Sequence, residues 1–96
     1  MAYKVRYTKE VLADLEEVTD YAELNFPGGA EQFFPGLLDQ IDFLEVYPRM
    51  GSFHEVRTKA RKIHYSPFVI YYRVVEPQQR IDILHIWHGS RRSPKL

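Results

Sequence analysis

The chain has 96 residues, 45% of them hydrophobic and 27% charged, with thirteen basic residues against thirteen acidic ones and no cysteine. That length suits one small domain of modest core, and the absence of cysteine excludes both a disulfide framework and thiolate chemistry. No apolar run approaches the roughly 20 residues that span a bilayer, and "MAYKVRYTKE" lacks a signal-peptide core; the expected location is the cytoplasm.

The zero net charge conceals a division. Residues 1–50 hold four basic and ten acidic residues, and residues 51–96 hold nine basic and three acidic ones. A polyanion-binding face produces such a split. So does an acidic helical surface beside a basic sheet, each merely solvated.

"YKVRY" (3–7) alternates, with Tyr3, Val5 and Tyr7 on one side and Lys4 and Arg6 on the other, the pattern of a half-buried strand. Thr8 is a helix cap, with Glu10 in the first turn. Val11, Leu12, Leu15, Val18 and Ala22 recur at helical steps, while Asp14, Glu16, Glu17, Asp20 and Glu23 fill the remainder, giving an amphipathic helix over about 8–25. "NFPGG" (25–29) ends it. A second stripe, Ala30, Phe33, Phe34, Leu37, Leu38, Ile41 and Leu44, predicts a helix over about 29–46. Pro35 removes one N–H and crowds the carbonyl of Glu31, so a kink or break is expected there. The two helices should form an antiparallel hairpin.

After the turn "YPRMGS" (47–52) the period changes to two. Residues 53–65 read as one or two strands with a bend. "FVIYYRVV" (68–75) and "RIDILHIWH" (80–88) are strands joined by "EPQQ"; the last is apolar on both faces, as an interior strand should be. The order predicts an α+β domain, β-α-α-β-β-β, with a helix hairpin on one face of a small, mostly antiparallel sheet that the first strand rejoins. The uncovered face should carry Lys4, Arg6, Lys62, His64, Val69, Tyr71 and Arg73.

The candidate chemistry lies in the basic half: Arg57, Lys59, Arg61, Lys62, His64, Arg73, His88, Arg91 and Arg92. Arginine forks suit phosphate oxygens and lysine adds a point charge. A histidine titrates near neutral pH, as a ribonuclease acting through a 2′-OH requires. The bland alternative is that these charges keep an open sheet face soluble, with Arg91 packing its stem on Trp87 and pairing with a first-half carboxylate. His85 and His88 are three apart on a strand and face opposite sides, so they make no metal site. His85 is expected to pair across the sheet and His88 to close the strand end. No GxGxxG, P-loop, HExxH or GxSxG sequence is present, so neither a nucleotide cofactor, a metal nor a serine nucleophile is expected.

"YKVRYTKEVLADLEEVTDYA", "LLDQIDFLEVYPRMG" and "FVIYYRVVEPQQRIDILHIWHGSRR", in that order, resemble the RelE/ParE toxins of bacterial type II toxin–antitoxin modules, the last segment through its His-Gly-x-Arg ending. The resemblance spans residues 3–92. It implies a dedicated antitoxin, growth inhibition when the antitoxin is absent, a role in plasmid stabilisation, and assembly as a homodimer or as a heterotetramer with the antitoxin.

The superfamily divides between RelE-like members that cut mRNA in the ribosome and ParE-like members that poison DNA gyrase. As a ribonuclease the chain would divide the acid, base and clamping roles among Lys59, Lys62, His64, Arg73, His88 and Arg91. The clamping arginine's position, however, is taken by apolar Val69, and no tyrosine or histidine follows Arg92. The ending therefore looks closer to the ParE type, in which Arg61, Arg73, His88, Arg91 and Arg92 would contact gyrase, its DNA or antitoxin acids. A degenerate toxin that only binds an antitoxin is the third reading.

Overall fold

The structure, a computed structural model, describes residues 2–96. Strand β1 (Lys4–Tyr7) leads into helices α1 (Lys9–Asn25) and α2 (Gly29–Asp42). The helices are followed by strands β2 (Ser52–Glu55), β3 (Ala60–Tyr65), β4 (Phe68–Val75) and β5 (Arg80–His88). The sheet order is β1-β5-β4-β3-β2, with β1 parallel to β5 and every other pair antiparallel. The α+β fold is the expected one, and the stretch 53–65 resolves into two strands separated by a turn over 56–59.

Thr8 caps α1 as anticipated: its hydroxyl oxygen accepts from the Val11 N–H and its own O–H donates to Ile83 O at 2.7 Å, fastening the helix start to β5. Val11, Val18 and Ala22 of α1, with Leu37 and Ile41 of α2 and Leu44 just beyond it, pack on Ile63, Phe68, Ile70, Tyr72, Ile81, Ile83 and Ile86 of the sheet. At 25 cal/mol per Å² of apolar surface, burial of each large aliphatic chain contributes about 1.5–3 kcal/mol, and this layer contact is the main source of stability. The Tyr72 hydroxyl pins the turn before β2 to the core: it donates to Pro48 O and accepts from the Gly51 N–H, both at 2.9 Å.

Three expectations are corrected. Helix α2 continues through Pro35 without a break. Pro35 lies on the exposed side and removes a single hydrogen bond, while Phe33, Phe34, Leu37 and Ile41 hold both halves on one core. The adjacent Gly36 has its own cause, because a Cβ there would stand 2.0 Å from the Tyr65 hydroxyl. On α1, Leu12 is exposed and Asp14 is buried, 8% accessible, the reverse of the expected assignment. Finally, His85 pairs with Asp14 of α1 rather than across the sheet.

Both edges of the sheet are managed. The outer edge of β1 is covered by Glu45, whose backbone oxygen accepts from the Tyr3 N–H at 2.9 Å and whose carboxylate accepts from the Val5 N–H at 3.3 Å. At the other edge β2 is short and bulged, between Phe53 and Glu55, a form that discourages further pairing.

Candidate functional site

Helices cover only one face of the sheet. Residues paired in register share a face, so the other face can be assembled row by row. The first row joins Arg6 of β1, Asp82 of β5, Arg73 of β4 and Ala60 of β3. A second joins His85, Tyr71 and Lys62, and a third joins Trp87, Val69 and His64. Lys4, Arg6, Lys62, His64, Val69, Tyr71 and Arg73 are therefore on the helix-free face, as expected. Val69 and Tyr71 are nonetheless only 8% and 5% accessible, and charged and aromatic neighbours surround them. The His54 ring of β2 meets Tyr71 edge-on with centroids 5.1 Å apart.

The end of β5 is organised by Asp14. Strand β1 stops at Tyr7, opposite Ile83, leaving the edge of β5 beyond it without a strand neighbour. Helix α1 supplies a carboxylate there instead. Oδ2 of Asp14 accepts from the Ile86 N–H at 3.0 Å and lies 2.8 Å from His85 Nδ1, and Oδ1 accepts from Trp87 Nε1 at 3.3 Å. The indole thus fixed is a platform for Arg91, whose guanidinium lies 3.6 Å from the Trp87 ring centroid. A turn in which the Arg91 N–H donates to His88 O brings the arginine back over the strand end. Arg91 also reaches Glu17 at 3.5 Å, yet its side chain remains 46% exposed. Arg92 is exposed.

The other candidates separate into three places. Lys62 and His64 line a groove of about 400 Å³ where β2 begins beside β3. Arg73 shares their face and donates from Nε to Thr58 O at 2.9 Å, tying itself to the β2–β3 turn that carries Lys59. Arg61 and His88 belong to the opposite, helix-facing side, paired with Tyr72 and Phe68 respectively. Arg61 donates to Gly51 O at 2.7 Å and stacks over Phe53. His88 packs against Tyr21 and Phe68 while its Nδ1 accepts from the Ser90 N–H at 3.1 Å. The candidate acids, bases and cations are consequently not gathered around one point.

A further group was not singled out from the sequence. Asp82, 8% accessible, is gripped by two arginines. Arg6 donates to it from Nε and Nη2 at 3.0 and 2.9 Å, and Arg80 from Nε and Nη2 at 2.7 and 3.4 Å. Burial raises the Asp82 carboxyl, but the hydrogen bonds and charges of Arg80 and Arg6 outweigh it and hold the group below the usual carboxylate range. The signal was faint: alternation put Arg6 outward, but its meeting with Arg80 and Asp82 needs the parallel β1–β5 register.

Among the described residues no group of histidines and carboxylates is arranged to hold a metal, and no helix is long and apolar enough to cross a membrane. The structure is a small α+β domain whose helix-free sheet face carries Lys4, Arg6, Lys62, His64 and Arg73. The family model described as the ParE toxin of the type II toxin–antitoxin system, parDE, matches residues 5–93, and the chain belongs to that family. The Sinorhizobium fredii protein Y4kP is 24% identical over 94 residues, covering 97% of this chain and 95% of that one. Two solved structures share the fold. The chromosomal ParDE toxin–antitoxin system of P. aeruginosa aligns with a TM-score of 0.72 at 23% identity, over 91% of this chain and 96% of that one. The toxin–antitoxin complex RelBE2 of Mycobacterium tuberculosis aligns with a TM-score of 0.64 at 18% identity, over 92% and 99%.

Proposed function

We propose that this toxin acts as ParE-like members do, blocking DNA gyrase through protein contact and without covalent chemistry of its own, in the cytoplasm, until a cognate antitoxin covers it. The observation that carries the reading is the centre of the helix-free face. Buried, apolar Val69 stands between His64 and Trp87 where a phosphate-clamping arginine would be needed, and His88 is turned to the other side. A nuclease must hold base, acid and cations within hydrogen-bond reach of one phosphate. The dispersed candidates do not supply that arrangement, whereas a protein contact needs only a presented surface. Arg91, fixed on Trp87 and still half-exposed, is the kind of anchored arginine that dominates protein interfaces.

The alternative, a ribosome-dependent mRNA endonuclease, is favoured by one observation: Lys62, His64 and Arg73 share a face, and two of them line a groove. Induction of the chain in cells with two readouts separates the proposals. Gyrase poisoning predicts DNA-damage signalling before translation falls; immediate translation arrest with cut mRNA supports the nuclease instead. No growth arrest would leave only antitoxin binding, the third reading. The ParDE and RelBE2 likenesses support an antitoxin partner in every case.

A further inference from the structure

A second cluster of cations lies away from the helix-free face. Arg49, Phe53, Lys59, Arg61, Val74 and Glu76 line a cleft of about 160 Å³. Arg61 is the register partner of Phe53 and of Tyr72, so the cleft lies on the helix-facing side of the sheet. Its walls are fixed in advance. The Arg61 guanidinium lies 4.0 Å from the Phe53 ring centroid, and its Nη1 donates to Gly51 O at 2.7 Å. Its Nε and Nη2 meet no acceptor among the described residues. The Tyr3 hydroxyl donates to Glu76 at 2.7 Å, and Glu76 pairs with Arg49. The β2–β3 turn is closed by the Lys59 N–H, which donates to Val56 O at 3.1 Å, and is tied to β4 by Arg73. Lys59 itself has a φ of +60°, a left-handed conformation that glycine adopts freely and lysine adopts only against steric strain. No carboxylate pairs with its ammonium group among the described residues. Strain held at one residue beside a cleft points to a use for that side chain.

We infer that this cleft binds a phosphate dianion, either free phosphate or the terminal group of a phosphate monoester, between Lys59, Arg61 and Arg49. Charge, shape and size select that ligand. Three cations line the cleft with one carboxylate, leaving an excess of two positive charges; a phosphate monoester near neutral pH carries about −1.5 to −2. The cations come from two separate turns and a strand, so they reach the cleft from different sides. A phosphate offers three acceptor oxygens to such an arrangement, whereas a carboxylate is planar, singly charged and satisfied by one guanidinium fork. The volume is below the roughly 300–1,000 Å³ of sites that enclose whole small molecules, so the cleft takes a single group. A nucleobase gains no platform from the face of Phe53 that Arg61 already covers. The inference is independent of the proposed target, because Lys62, His64 and Arg73 face the other side of the sheet.

The test is isothermal titration calorimetry of the full chain in a low-salt, phosphate-free buffer near neutral pH. The titrants are sodium phosphate, sodium acetate, and one dinucleotide made with and without a 5′-phosphate. Phosphate is expected to bind, and acetate at least about tenfold more weakly. Tighter binding of the 5′-phosphorylated dinucleotide than of inorganic phosphate, with no binding of its 5′-hydroxyl form, assigns the site to a nucleotide end; binding of inorganic phosphate alone assigns it to the free ion. Lys59→Gly, which relieves the strained turn and so keeps the fold by circular dichroism, should weaken phosphate binding at least about tenfold, and Lys59→Arg should keep most of it. Arg57→Gln removes the same charge from a neighbouring side chain that is 89% exposed, and should change binding less than about twofold. Acetate binding as tight as that of phosphate, equal effects of Lys59→Gly and Arg57→Gln, or no phosphate binding below about 10 mM would overturn the proposal. Phosphate binding in a protein without effect on gyrase would sink the proposed target while leaving this site standing.

Discussion

The Asp14 carboxylate of α1 accepts a hydrogen bond from the Ile86 N–H of β5 at 3.0 Å, so a helix side chain completes a sheet edge that the short first strand leaves open. The same carboxylate holds Trp87, and Trp87 carries Arg91. Edge satisfaction and presentation of the arginine therefore depend on one buried residue. Asp14→Ala should destabilise the protein by about 2–3 kcal/mol, because it leaves a buried N–H without its charged acceptor. Asp14→Asn, which keeps one acceptor oxygen, should cost less. Urea denaturation measures both; a change within about 0.5 kcal/mol for the alanine variant would contradict this role.

Arg91 should behave in the opposite way. Its contacts are a ring face and an exposed carboxylate at the outer limit of hydrogen bonding, together worth about 1 kcal/mol or less. Arg91→Ala should leave the unfolding midpoint nearly unchanged and weaken target binding by about 30-fold, the loss typical of an interface anchor. Growth on induction and a denaturation curve, taken from the same variant, separate the two effects.

Gly36 permits a close approach between α2 and the Tyr65 hydroxyl of β3. Gly36→Ala forces the Tyr65 hydroxyl away and should cost about 1–3 kcal/mol despite the better helix propensity of alanine. Adding Tyr65→Phe should recover part of the loss. A double-mutant cycle that gives simple additivity would show that the clash is not the cause.

Asp82 makes stability depend on acid. Its folded-state carboxyl titrates lower than its unfolded one, so the unfolded chain takes up the proton first. The contribution of this group is complete above the unfolded value, about pH 3.9, and is lost as pH falls through the folded value. Asp82→Asn should lower stability near neutrality and flatten the decline between about pH 5 and about pH 2. Urea midpoints across that interval give the result; an undiminished acid slope in the variant would assign the dependence to other groups.

The sequence carried the alternations at 3–7, 68–75 and 80–88 and the helical stripes clearly, because each follows from a period set by its own residues. Asp14 was legible in part. It lies three residues after Val11 and four before Val18, on the apolar stripe itself, but a run of acidic neighbours disguised it as one more solvated charge. Pro35 misled because its local cost is real, yet the apolar residues on both sides of it outweigh that cost by packing on one core. The Arg6–Asp82–Arg80 group was out of reach, since it joins residues more than seventy positions apart through a parallel register that no local pattern encodes. Arg61 and His88 entered the candidate set on residue type, although alternation with Lys62 already put Arg61 on the other side; strand pairing shows that both face the helices.

Gyrase supercoiling by the purified protein, run beside ribosome-programmed mRNA cleavage with the same sample, tests the central claim most directly. The account predicts inhibited supercoiling with accumulated cleaved DNA complexes, intact mRNA, and relief of both gyrase effects when antitoxin is added. Unaffected supercoiling together with cut mRNA would contradict it.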